Sequence, residues 1–231
     1  MRAALRIAAW VAVALAGLFL VIQLVFLAQV WWWKDHNPSS TAFIDARISQ
    51  MRAANSAVKV EHAWVPYEQI SENLKRAIVV AEDSKFVDHE GFDWEAIEKA
   101  REKNRMKGKV VAGGSTISQQ LAKNLFLSAS RTPWRKGEEA LITVMIEQVM
   151  DKRRILEIYL NVIEWGDGVF GAEAAARHYY GTTAARLGPE AAARLAAIVP
   201  NPRFYDRNRS TPFILRKTQT ILARMPAAEL P

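Results

Sequence analysis

Between Arg6 and Lys34 no residue carries a charge, and only Gln23 and Gln29 are strongly polar. At about 1.5 Å of helical rise per residue, such a run crosses a hydrocarbon core of roughly 30 Å with residues to spare. Arg2 and Arg6 precede it, which favours a cytoplasmic N-terminus under the positive-inside bias. Trp31, Trp32 and Trp33 close it as an interfacial aromatic belt. A cleaved signal peptide is the competing reading. Its apolar region would usually be shorter and end in a small-residue cleavage site, and neither feature is present. The run is therefore expected to be a retained single-pass anchor. The chain then divides into a cytoplasmic N-terminus (1–6), a transmembrane anchor (7–33), a membrane-proximal linker or small-lobe segment (34–64) and a main domain (65–231) outside the cytoplasm.

The remaining length suits one medium domain, and half of all residues are hydrophobic, enough for a sizeable core. Lys and Arg number 31 against 24 Asp and Glu, a net charge of +7. That excess points to an anionic partner: nucleic acid, phosphate or an anionic membrane. There is no cysteine, which excludes thiol catalysis, zinc–thiolate sites and disulfides.

Ionisable residues are densest at 82–91, EDSKFVDHEG, directly after the apolar run 77–81. Charges beside a buried face are costly unless solvated, paired or used. Ile70, Leu74, Ala77, Ile78 and Ala81 recur at helical spacing behind Pro66, so a helix is expected to deliver Glu82. Gly91 breaks the chain, and a second helix starts over 92–97 and ends in the basic run 101–109. In GGSTISQQLAKN, residues 113–124, Thr116 and Gln119 form a capping box that opens a helix after two glycines. A helix start of this kind offers free N–H groups to an anion, although a structural cap alone would also explain it. The Walker spacing is absent.

Lys123, Arg131, Arg135 and Lys136 follow as a loose basic series around Pro133 and Trp134. In the next helix Glu139 shares a face with Ile142, Ile146 and Val149, so it should point inward, where a buried ion pair with Arg135 would suffice to explain it. Residues 161–168 read as a glycine-rich loop, and the segments after it, including a basic amphipathic helix over 212–225, read as scaffold. No alternating strand pattern is evident, and long helical segments between Gly and Pro breaks argue for an all-α domain. Ser56-x-x-Lys59 matches a penicillin-binding SxxK pattern but lacks KTG and SDN partners, so it is rejected as a site.

Taken together, these segments resemble the glycosyltransferase domain of peptidoglycan polymerases, found alone in monofunctional biosynthetic transglycosylases and at the front of class A penicillin-binding proteins. EDSKFVDHEG fits the family's ED-x2-F-x2-H-x-G motif, GGSTISQQLAKN its second motif, Arg135-Lys136-x2-Glu139 its RK-x2-E motif, and KRRILEIYLNVIEWGDGVFG (152–171) its fourth. The resemblance covers approximately residues 60–205, and the lack of a transpeptidase domain favours the monofunctional type. It implies a lysozyme-like, two-lobed helical fold and a polymerase that joins lipid II to a glycan on undecaprenyl diphosphate, with inversion, giving β-1,4 strands. It also implies a site on the periplasmic face of the cytoplasmic membrane, and cell-wall synthesis complex proteins as partners.

By the same resemblance Glu82 is the general base on the acceptor 4-hydroxyl. Lys123, Arg131 and Arg135 hold donor phosphates. Glu139 either orients those cations or helps bind a divalent metal, magnesium or manganese. Asp83, Phe86, His89, Gly114, Ser115, Thr116, Gln119, Gln120, Asn124 and Lys136 complete the expected substrate site. Two rivals are weighed. A lysozyme-like hydrolase or lytic transglycosylase leaves the clustered cations unexplained, and a non-catalytic membrane scaffold leaves both glutamates unused. Nucleic acid is not expected, because the basic residues adjoin carboxylates instead of forming a stripe.

Overall fold

The computed structural model describes residues 2–54, 59–127 and 133–231. Its helices begin with α1 (Arg2–Trp33), α2 (Ala42–Ala54), α3 (Glu72–Glu82) and α4 (Trp94–Lys107). They continue with α5 (Ile117–Phe126), α6 (Pro133–Val149), α7 (Lys152–Val162) and α8 (Ala172–Tyr180). The chain closes with α9 (Pro189–Ile198), α10 (Pro202–Arg207) and α11 (Pro212–Arg224). Strands β1 (Glu61–His62), β2 (Glu164–Gly166) and β3 (Val169–Phe170) form a single small sheet in the order β1-β3-β2. The molecule is thus largely helical, as its periodicity suggests.

Among the described residues α1 alone is long and apolar enough to cross a membrane. Most of its side chains are exposed, Trp10, Leu15 and Leu20 among them, but its C-terminal part meets protein. Val30 is fully buried, Phe26 lies 4.8 Å from Phe126 and Trp33 lies 5.2 Å from the same ring (centroid distances). Trp31 and Trp32 stay exposed, so only part of the expected aromatic belt faces outward. Arg154 of α7 clamps the helix exit. Its Nε donates to the Trp33 carbonyl at 3.0 Å, and a terminal nitrogen donates to the His36 carbonyl at 2.7 Å. A cation on the last carbonyls satisfies groups that a helix end leaves open. α1 is therefore seated on the domain instead of swinging from a free linker.

The described parts of residues 34–64 are likewise built in. α2 packs on α5, and its Arg47 reaches Glu164 at 3.1 Å and Asp167 at 2.5 Å. β1 pairs in parallel with β3, which pairs antiparallel with β2. The sheet escapes a sequence reading because strands of two or three residues are too short to show a period of two. The expected glycine-rich loop is the β2–β3 hairpin. Gly168 turns it at φ +81°, where an added Cβ would lie 2.7 Å from the Met51 methyl carbon.

α3 starts later than Pro66 suggests. A 3₁₀ turn over Tyr67–Gln69 intervenes, and Ser71 caps the helix by accepting from the Leu74 N–H. α3 packs on α9 and α11, with Leu74, Ala77 and Ile78 fully buried against the small residues of α9. α5 packs on α6 and α7. On α6, Glu139 is indeed inward, on the same buried face as Ile142 and Ile146.

Candidate active site

Glu82 sits at the last position of α3, and the helix ends because Asp83 leaves helical geometry at φ −164°, ψ 75°. The Asp83 carboxylate accepts from His89 Nε2 at 2.9 Å and from the backbone N–H of Ile117, the first residue of α5, at 2.9 Å. His89 Nδ1 accepts from the Gly91 N–H at 3.1 Å, so the bonding pattern assigns the ring proton to Nε2. Gly91 is at φ +89°, and a Cβ there would lie 2.8 Å from Thr143 Cγ2. Thr116 Oγ1 donates to the Gly91 carbonyl at 2.7 Å and caps α5 in a full capping box with Gln119. The first two motifs are thereby bolted together. The anion at the start of α5 is internal: Asp83 occupies the N–H that the sequence left open for a ligand.

This geometry makes Asp83 a clamp. Asp83→Ala removes a charged acceptor from a buried N–H and is expected to cost about 1.5–3 kcal/mol of stability. Urea unfolding of the purified protein measures it, and wild-type stability would show that the clamp carries no weight.

Glu82 itself is partly buried. Its Oε2 accepts from Gln120 Nε2 at 2.9 Å, and Gln120 Oε1 accepts from the Tyr159 hydroxyl at 2.9 Å. Burial pushes the Glu82 carboxyl above the ordinary glutamate range, while the Gln120 bond, Lys217 and Lys123 pull it back and Asp83 adds to the rise. The Tyr159 phenol is raised far above its usual value, first by burial and then by Glu82 and Asp83. It stays a neutral donor and fixes which way the Gln120 amide points.

Two cavities flank this group. The smaller, about 160 Å³, is lined by Glu82, Asp83, Ser84, Asp93 and the Gly113–Thr116 loop, so Gly114 and Ser115 belong to it. Gly114 presses on α4, where a Cβ would lie 2.8 Å from Ile97 Cα. The larger, about 350 Å³, is lined by Gln120, Lys123, Asn124, Arg135 and Tyr159 on one side and by Asn201 and Arg203 on the other. Asn124 Nδ2 also donates to the Gln120 carbonyl at 2.8 Å, which ties the cavity wall to the residue holding Glu82.

Three cations act on one carboxylate, Glu139, and two of them, Lys123 and Arg135, line the larger cavity. Glu139 accepts from Arg135 at 3.4 Å and also from Lys136. Burial lowers the Lys123 ammonium below its ordinary value, opposed by Glu139 and reinforced by Arg135 and Lys136. A site with this balance attracts an anion carrying more than one charge.

The remaining expected residues are placed as follows. Phe86 lies in the core, fully buried, with the Lys152 ammonium 4.8 Å from its ring centroid, and does not reach the cleft. His89 and Gln119 act within the protein, on Asp83 and on the helix cap. Arg131 lies outside the described residues, as does Ser56 of the rejected SxxK pattern. Both Glu139 oxygens are taken by cations, Arg135 and Lys136, and among the described residues no three His, Asp or Glu side chains are grouped together.

Sequence reasoning passed over Tyr159 and Lys217. Each is a polar group on an inward helix stripe, Tyr159 beside Ile155 and Leu156, and Lys217 between Ile214 and Ile221. That misfit in periodicity was the available signal.

The sequence model of a family described as "Transglycosylase" matches residues 49–226. The chain belongs to the transglycosylase family. The match takes in the last part of α2, the sheet, all but Phe43 of the two cavity linings and the whole of α11. Relatives cover nearly all of this transglycosylase. A "Biosynthetic peptidoglycan transglycosylase" of Dechloromonas aromatica is 63% identical over 217 residues, 94% of each chain. A protein of the same name from Chromobacterium violaceum is 59% identical over 94% of this chain and 96% of its own length. Another, from Methylobacillus flagellatus, is 61% identical over 93% of this chain and 96% of its own.

Proposed function

We propose that this transglycosylase polymerises peptidoglycan glycan strands from lipid-linked disaccharides at the outer face of the cytoplasmic membrane. The acceptor is lipid II, and the donor is a growing strand on undecaprenyl diphosphate. Glu82 takes the proton of the acceptor 4-hydroxyl as that oxygen attacks the donor anomeric carbon. The bond to diphosphate breaks on the opposite face, so the anomeric configuration inverts. Lys123 and Arg135, with Arg131, meet the negative charge that the departing diphosphate gains.

One observation carries this reading. A cavity lined by Lys123, Arg135 and Arg203 is separated from the Glu82 carboxylate by a single side chain, Gln120, which lines the cavity and donates to Glu82. A glycan hydrolase needs a carboxylate but releases a sugar hydroxyl, for which a polycationic pocket has no use. Anchoring by α1 fits a reaction whose two substrates both reside in a bilayer.

The test is incubation of the purified full-length protein with labelled lipid II. Polymer of β-1,4 linkage is the expected product. Failure to consume lipid II together with cleavage of intact glycan strands would move the protein to the hydrolases.

A further inference from the structure

α11 carries a lysine where its packing calls for an apolar residue. Ile214, Lys217, Thr218 and Ile221 recur at helical spacing on the side of α11 that lies against α9 and α3, and both isoleucines are buried. Lys217 is partly buried, yet among the described residues it makes neither a hydrogen bond nor an ion pair. A lysine buried for structure looks different. Lys75 of α3 donates to the Tyr67 carbonyl at 3.4 Å and sits 4.0 Å from the centroid of that ring. A desolvated ammonium without such partners is costly, and its position then calls for another use.

The charged group that acts on it is Glu82, at the end of α3, one of the two helices against which this side of α11 packs. Each element around Glu82 contributes a distinct set of groups. α3 supplies Asp83, the cap of α4 supplies Asp93 across the smaller cavity, α5 supplies Gln120 and Lys123, and α7 supplies the neutral Tyr159. The side of α9 against α3 is built from Ala192, Ala193 and Ala196 and carries no titratable group. α11 supplies Lys217 alone. Lys123 is shared, since Glu139, Arg135 and Lys136 also act on it, whereas Glu82 is the one charged group that acts on Lys217.

We propose that Lys217 is a positioning residue for Glu82, an ammonium presented from α11 that holds the carboxylate in its ionised, proton-accepting form between turnovers. The assignment rests on Glu82 being the base. Its chemical logic is a division of labour. Lys123 is committed to the cationic cavity and exchanges its interactions as a diphosphate arrives and leaves. A cation outside both cavities keeps the base ionised whatever the donor site contains. Lys217 lines neither cavity, as this role requires.

The test is the pH profile of kcat/KM for lipid II polymerisation by purified full-length wild type, K217M, K217Q, K217R and E82Q, with thermal unfolding followed in parallel. Loss of the nearby cation makes Glu82 easier to protonate. The acidic limb in K217M and K217Q should therefore move to higher pH by about one unit, roughly a tenfold loss on the limb that is recovered at alkaline pH. K217R should return the limb towards its wild-type position. Methionine and glutamine are paired so that a folding defect in one does not decide the matter. An acidic limb unmoved in the folded variants, with or without a rise in KM, would overturn the proposal and leave Lys217 a packing or substrate-binding residue. E82Q separates this from failure of the base itself: an E82Q enzyme that keeps wild-type rate and limb would remove Glu82 from proton transfer, and Lys217 with it.

Discussion

Glu82→Gln is expected to lower glycan polymerisation by about 10²–10⁴-fold, the usual contribution of a positioned general base. Glutamine matches the carboxylate in shape and retains an oxygen that can accept from Gln120, so the loss isolates the proton-accepting function. Stability should move the other way. Burial raises the carboxyl of Glu82 in the folded protein, so folding favours its protonated form. The stability this contributes is present below the unfolded value and lost as pH rises through the folded one. At neutral pH the ionised side chain is therefore a burden, and Glu82→Gln should unfold no earlier than wild type. Glu82→Asp should also lose heavily, because the carboxylate withdraws by about 1.5 Å, a bond length, and misplacement on that scale costs on the order of 10²-fold. The rate should be lost as pH falls through a value above the ordinary glutamate range. Wild-type turnover in a folded Glu82→Gln protein, measured with lipid II, would remove Glu82 from the chemistry.

That such variants can be chosen from sequence at all reflects which features periodicity records. The stripe of Ile142 and Ile146 predicted an inward Glu139, and the structure buries it between Arg135 and Lys136. The capping box at Thr116 and Gln119 could be read because both partners lie within one helical turn. What could not be read depends on contacts distant in sequence. Asp83 reaches 34 positions to Ile117, and Tyr159 reaches 39 back to Gln120. No local pattern shows that a carboxylate beside Glu82 is spent on a helix start, or that a phenylalanine within the same motif turns into the core. The residues after 200 looked like scaffold for the same reason. Their helix is amphipathic, and only its packing on α3 gives Lys217 a direction.

The leaving-group half of the cleft yields the second large effect. Lys123→Ala is expected to reduce turnover by about ten- to a hundred-fold, which is what one charge-assisted contact of roughly 1.5–3 kcal/mol supplies. The loss should fall mainly on kcat. Charge on the donor diphosphate grows as the anomeric bond breaks, so the missing ammonium is needed more in the transition state than in the bound ground state. Burial sharpens the effect: the ammonium is already desolvated and held near Glu139, so it stands ready without reorganising when the diphosphate departs. Lys123→Arg should restore little, since a planar guanidinium fork does not replace a compact ammonium in a cavity already lined by Arg135 and Asn124. The check is steady-state polymerisation of lipid II beside equilibrium binding of a diphosphate-bearing donor analogue. Lower turnover with binding weakened by a smaller factor is the expected pair of results. Equal losses in both would make Lys123 a ground-state anchor, and wild-type turnover would take it out of the site and reopen the case for a hydrolase.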